Sequence, residues 1–247
     1  MQPDATRFTR GREFLAGCRD ELPILLGVAP FGMIYGVLAL SAGLSAGTAQ
    51  AMSSVVFAGS AQFIAAQLIH ERVPGGIVVL TVLVVNLRHA LYSASVAPYL
   101  KGLRPAWKGG LAYLLTDEAY AVAIHRYLRD GGRSEVSPYR HWYFLGAGLT
   151  LWTAWQWSTA VGVFVGARVP ASWSLDFTLA LTFIALVFPS LRDRAGAAAA
   201  VTAGGLAVAG AGLPYKLGLP LAALGGVLVG LGAEGLRERA TGRERAA

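Results

Sequence analysis

Apolar residues run along this chain in long blocks, broken by short basic or Gly/Pro-containing segments. A bilayer core takes about 20 mostly apolar residues per helix. Eight blocks qualify, at 22–44, 49–69, 75–99, 110–128, 142–167, 175–191, 195–212 and 217–234. Segments of about ten residues with strict alternation, the mark of a membrane barrel, are absent from the sequence. Backbone groups in lipid must then be satisfied within helices. The pattern predicts an all-α, polytopic helical membrane protein with about eight transmembrane helices and a cytoplasmic N-terminus. Residues 1–21 read as a cytoplasmic N-terminal segment, 22–234 as a single transmembrane domain and 235–247 as a cytoplasmic basic tail. Residues 8–20 suit a short interfacial helix with Phe8, Phe14 and Leu15 toward lipid. The first block is too long for a signal-peptide core, and acids precede it.

Composition agrees. Of 247 residues 55% are hydrophobic and 14% charged, where a soluble domain carries about a quarter charged. This excludes a disordered chain and argues against an ordinary soluble enzyme. Cys18 is the single cysteine, so no intrachain disulfide or multi-Cys metal site forms. The net charge of +7 comes from basic residues scattered between apolar blocks, which points to membrane topology and not to nucleic acid. With eight spans, 15 Lys/Arg fall in inner segments and 5 in outer ones. Without the fourth span the split is 13 to 7, so the positive-inside rule favours a crossing there. Lys101, Arg104 and Lys108 in the outer loop 100–109 run against that scheme.

Polar residues inside the blocks mark the candidate site. In the first, Gly27-Val28-Ala29-Pro30-Phe31-Gly32 predicts a break, since Pro30 cannot donate to the helix ladder. Transporters place such freed backbone groups on substrate. The second carries Phe57-Ala58-Gly59-Ser60-Ala61-Gln62-Phe63, a thin face beside an amide with donors and an acceptor. The third holds Asn86-Leu87-Arg88-His89 and the fourth Thr116-Asp117-Glu118. Intramembrane charges pair and face the bundle interior. Arg88 lies 13 residues into the third block, roughly 19 Å deep. Glu118 is eight residues from the outer start of the fourth, about 18 Å from the inner face of a ~30 Å core. The depths coincide, so Arg88 is expected to pair with Asp117 or Glu118 across antiparallel neighbours.

Trp152, Trp155 and Trp157 offer a wall for an apolar pocket, or core packing. Asp176 suits an N-cap. The Gly226/Gly230 and Ala203/Ala207 steps let helices meet closely, either within the chain or against a partner. No zinc spacing, nucleotide loop or nucleophile elbow is legible, so no metal, cofactor or catalytic residue is expected. His89 and Ser93 stand at i, i+4, but nothing in the sequence orients them as base and nucleophile.

Five segments in order resemble the AzlC family of branched-chain amino acid permeases: GVAPFGMIYG (27–36), VVFAGSAQF (55–63), VVNLRHALYSAS (84–95), LLTDEAYA (114–121) and LDFTLALTFIAL (175–186). The resemblance implies the large subunit of a two-component exporter in a bacterial cytoplasmic (inner) membrane. It also implies a small AzlD-like membrane subunit as partner, and proton-driven export of valine, leucine and isoleucine. The residues suit that substrate. An aliphatic amino acid is a zwitterion with an apolar tail. Gln62, Asn86, Arg88, Asp117 and Glu118 supply polar groups, Pro30 and Gly59 backbone access, and Phe31, Phe57 and Phe63 an apolar slot. A channel-like pore, or a transporter for another small zwitterionic or apolar solute, is the rival reading. Polar residues clustered at one depth suit an occluded site better than a continuous lining.

Overall fold

The computed structural model describes residues 8–130, 137–167, 194–214 and 217–244, and all regular structure among them is helical. The expected sixth span, Asp176 and the segment 175–186 lie outside the described residues. The chain divides into two compact units, residues 1–63 with 86–169, and residues 64–85 with 170–247. Three described segments are long and apolar enough to cross a membrane by length and composition, Arg10–Ser41, Gly75–Leu100 and Gly218–Gly235.

The first unit is built on α1 (Arg10–Ser41) and α8 (Arg140–Gly166). Thr9 caps α1 by accepting from the Arg12 N–H at 3.3 Å. The helix then runs unbroken through Pro23 and Pro30. The break expected at Pro30 does not occur. Proline's φ is helical, so the chain loses one hydrogen bond without turning, and the Pro30 ring lies on an exposed face. Glycines let α1 and α8 touch at backbone level. A Cβ on Gly17 would run into the Tyr143 carbonyl oxygen, and one on Gly162 into that of Met33. Contacts advance together on both helices, so they run parallel. Their N-terminal ends form a basic end of the unit. The opposite end, residues 38–50 and 156–167, contains no Asp, Glu, Lys or Arg.

The remaining blocks of this unit are broken. α2 (Ala46–Val56) and α3 (Gly59–His70) are separated at Phe57, whose φ of 40° is left-handed. α5 (Arg88–Val96) begins after Asn86-Leu87, and α6 (Pro105–Tyr113) and α7 (Asp117–Asp130) are separated by Leu114–Thr116. α2 is stapled to α8 by a polar ladder. Gln50 Nε2 donates to Gln156 Oε1 at 2.8 Å, Ser54 Oγ to the same oxygen at 2.9 Å, and Ser53 and Thr159 hydroxyls bond at 2.9 Å.

The fourth expected span, 110–128, is not one helix but two that turn back on each other. Trp107 at the start of α6 packs on His141 and Trp142 at the start of α8, with centroids at 4.9 and 5.1 Å. Leu114 at its end meets Gly148. Thus α6 runs parallel to α8. α7 returns, since Tyr127 Oη donates to the Arg140 carbonyl at 3.0 Å and Arg126 pairs with Glu13 near the start of α1 at 3.6 Å. Residues 105–130 form a hairpin whose two ends lie at the basic end and whose tip, Leu114–Thr116, lies inside. α5 and α7, expected to be antiparallel, run parallel. Arg88 meets Asp117, Tyr92 stacks on Tyr120 at 4.5 Å and Tyr99 lies 5.1 Å from Tyr127. Tyr99 and Trp107 bracket the loop bearing Lys101 and Arg104, which joins Arg10, Arg126, Arg129 and Arg140 at the same end. The three cations that opposed the eight-span scheme are therefore on the basic side.

In the second unit α9 (Arg194–Ala209) and α10 (Gly218–Glu244) form an antiparallel hairpin, against which α4 (Gly75–Val85) packs. A Cβ on Gly226 would lie 2.8 Å from that of Ala203, and one on Gly230 3.1 Å from that of Ala199. The Gly226/Gly230 step is used within the chain, which removes it as a candidate partner face.

Candidate functional site

Three helices of the first unit start around one guanidinium. Arg88 opens α5, its Nη2 donates to Ser60 Oγ in the first turn of α3 at 2.8 Å, and its Nη1 meets Asp117 Oδ2, the first residue of α7, at 2.7 Å. The first amides of a helix have no partner within it, and the macrodipole puts partial positive charge there. Ala119 N–H is taken by Thr116 Oγ1 at 3.3 Å, so Asp117 need not cap its own helix and turns to Arg88. Of the two acids, Asp117 holds the arginine.

An aromatic box forms where α1, α3 and α8 meet. Phe31 and Phe63 stack at 4.4 Å, Tyr35 and Trp155 at 6.2 Å, Phe31 approaches Trp155 to 6.0 Å and Tyr35 meets Phe63 edge-on at 5.9 Å. Gly59 lies against it, since a Cβ there would come within 3.0 Å of Trp155 and 3.1 Å of Phe31. Gln62 is fully buried and accepts from Trp155 Nε1 at 3.1 Å.

The polar atoms left without hydrogen bonds are informative. Among the described residues, the buried side-chain atoms with no partner are Gln62 Nε2, Arg88 Nε, Asn86 Oδ1, Asp117 Oδ1 and both carboxylate oxygens of Glu21. Buried polar groups are normally satisfied. Four of these atoms belong to Gln62, Asn86, Arg88 and Asp117, two as donors and two as acceptors. The Gln50–Gln156–Ser54 ladder on α2 and α8, by contrast, is closed on itself. Arg88 and Asp117 keep 32% and 38% of their side chains exposed, so the cluster opens on one side.

Of the expected residues, Phe31, Gly59 and Gln62 meet at Trp155, and Arg88 pairs with Asp117 beside Ser60. Glu118 does not bond Arg88, and Thr116 and its own backbone N–H are its neighbours. Pro30 faces away from the cluster's partners on an exposed surface of α1. Phe57 leaves the slot and pairs with Tyr113 at 5.9 Å. Tyr35 was legible only as part of an apolar run, and Trp155 as one of several tryptophans. A helical count from Phe31 to Tyr35 places both rings on one face, which was the available signal. Among the described residues no group of three or more His, Cys, Asp or Glu could hold a metal ion.

Residues 23–169 match the family model described as AzlC protein. The inner membrane protein YgaZ of Escherichia coli K12 is 26% identical over 88% of this chain and 87% of its own length. A membrane protein of Archaeoglobus fulgidus is 31% identical over 79% of this chain and 84% of its own. The branched-chain amino acid transport protein AzlC of Bacillus subtilis is 28% identical over 76% and 72%. No solved structure matches.

Proposed function

The chain belongs to the AzlC family of membrane proteins, and we propose that it is the large subunit of a secondary transporter that exports branched-chain amino acids. The observation that carries this reading is the set of four unbonded atoms around Arg88 and Gln62. A zwitterion complements them. Its carboxylate takes the starts of α3 and α5 with Arg88 Nε and Gln62 Nε2. Its ammonium takes Asn86 Oδ1 and Asp117 Oδ1. The aliphatic tail enters the box of Phe31, Tyr35, Phe63 and Trp155, with Gly59 keeping that wall thin.

The basic end of the first unit is the cytoplasmic one by the positive-inside rule. With that orientation α1 and α8 both leave the cytoplasm, and the α6/α7 hairpin enters from it and returns. Non-helical backbone at membrane depth is tolerated where it lines a cavity, which supports the hairpin tip as part of the pathway. Export across the cytoplasmic membrane is coupled to protons and needs a small AzlD-like membrane subunit. These features rest on the family. No catalytic residue, cofactor or metal takes part in this reading.

The test is counterflow of labelled leucine in proteoliposomes holding this chain with and without the small subunit. Saturable exchange competed by valine and isoleucine, but not by lysine or glutamate, is expected with the pair. No exchange from the pair, or unsaturable flux of unrelated solutes, would overturn the reading.

A further inference from the structure

Among the described residues, Glu21 is the one buried group with unbonded side-chain atoms that the proposed substrate site does not use. It is fully buried, 0% exposed, and neither carboxylate oxygen has a hydrogen bond. Its placement follows from the packing of α1 on α7. These helices run antiparallel, with Glu13 on Arg126 at 3.6 Å. Eight residues further along α1 and eight back along α7, about 12 Å deeper, come Glu21 and Glu118. The charge acting on Glu21 from α7 is indeed that of Glu118. Among the described residues no ion pair reaches it. α8 has no Asp, Glu, Lys, Arg or His beyond His141, and its Tyr143 donates to Asp20 at 2.6 Å. On its own helix, Glu13 is taken by Arg126.

An ionised carboxylate deprived of water, hydrogen bonds and counter-charge is strongly disfavoured, and a facing acid adds to that. Position gives the group a use. Glu13, Arg126 and Asp130 form an ion cluster at the basic end, with Arg126 Nε on Asp130 Oδ2 at 2.7 Å. Glu118 adjoins Asp117, the partner of Arg88. Glu21 lies between the basic-end cluster and the substrate site.

We propose that Glu21 is a proton-carrying acid of this transporter, exchanging a proton with the basic end in one state and with Glu118 in the other. The step is a transfer of one proton between two carboxylates, with no other bond made or broken. This rests on the transport reading, and it deepens that reading by naming the residue that couples flux to the proton gradient.

The experiment uses the full chain with its small subunit in lipid vesicles, wild type against Glu21→Gln, a neutral side chain of nearly equal size. Infrared spectra at neutral pH should show a protonated-carboxyl band, shifted by deuteration, that Glu21→Gln removes. Leucine counterflow, which needs no gradient, should be within twofold of wild type in Glu21→Gln. Accumulation driven by a pH gradient should fall to equilibration. Absence of the band, gradient-driven accumulation in Glu21→Gln equal to wild type, or loss of counterflow together with accumulation would each overturn the proposal. A wild-type complex that moves no leucine would instead refute transport of that substrate, while the infrared band still decides whether Glu21 holds a proton.

Discussion

Removing Arg88 tests whether the convergence of three helix starts is mechanism or masonry. The Arg88–Asp117 contact is 2.7 Å, with 32% and 38% of the two side chains exposed. That places it between two limits. An exposed ion pair contributes about 0.2–1 kcal/mol, and orphaning one member of a buried pair costs about 3–5 kcal/mol. With solvent reaching a third of each group, Arg88→Ala or Asp117→Asn should cost about 1–3 kcal/mol. The double variant leaves no orphaned charge, so its loss should be smaller than the sum of the two. Thermal unfolding in detergent reads this term. Leucine uptake into vesicles, with and without a pH gradient, reads function. Both singles and the double should lose gradient-driven transport, because the double regains stability without regaining the guanidinium that ties α3, α5 and α7. Full gradient-driven transport in the double variant would reduce the pair to a structural ion pair. Wild-type stability in Arg88→Ala would show that the two charges carry no interaction.

The remaining expectations concern the scaffold. In a chain with Cys18 replaced by Ala, cysteines at Gly102 and Arg129 should react with an impermeant thiol reagent from the same side, and one at Ala46 from the other. Opposite sides for Gly102 and Arg129 would mean that α6 and α7 together cross the membrane. At the α1/α8 seam, Gly162→Ala should destabilise by about 1–3 kcal/mol or more, as overpacking does, because its Cβ would run into the Met33 carbonyl oxygen. An unchanged melting temperature in detergent would show that the seam is not that close.

Much of the candidate site was legible because chemistry in lipid is conspicuous. Asn86, Arg88, Asp117 and Gln62 stand out from apolar runs, and a shared depth pointed to Arg88 meeting an acid. Hydropathy does not distinguish a crossing helix from a hairpin of the same length, since both must be apolar outside. The block 110–128 therefore read as a span, although the loop of Lys101, Arg104 and Lys108 already spoke against it. Breaks were misplaced for a related reason. Pro30 is the obvious breaker, yet its φ fits a helix, and the actual interruptions fall at Phe57, Asn86-Leu87 and Leu114–Thr116, where no proline stands. Glu21 was hidden by its place in the sequence, beside Asp20 at the edge of the first block. Only the packing of α1 against α7 separates the acid that bonds Tyr143 from the acid with no partner.

The placement of the breaks argues for a site more strongly than any residue type does. Each interruption replaces regular helical bonds with short turns, as where His89 N–H bonds the Asn86 carbonyl and Thr116 N–H that of Leu114, and lipid tolerates such irregular backbone only where it is satisfied or lines a cavity. A structural polar contact between membrane helices needs no such interruption, as the closed ladder of Gln50, Ser54 and Gln156 demonstrates, lying within continuous turns of α2 and α8. Around Arg88 the arrangement is the reverse. α3, α5 and α7 each begin at an interruption, Ser60, Arg88 and Asp117 of their first turns meet at a single guanidinium, and buried polar atoms of Gln62, Asn86, Arg88 and Asp117 remain unbonded. Had the cluster only to hold helices together, continuous helices with satisfied side chains would do it at lower cost. Three interruptions gathered at one point, with donors and acceptors both left free, make sense if a ligand bearing both charges completes them.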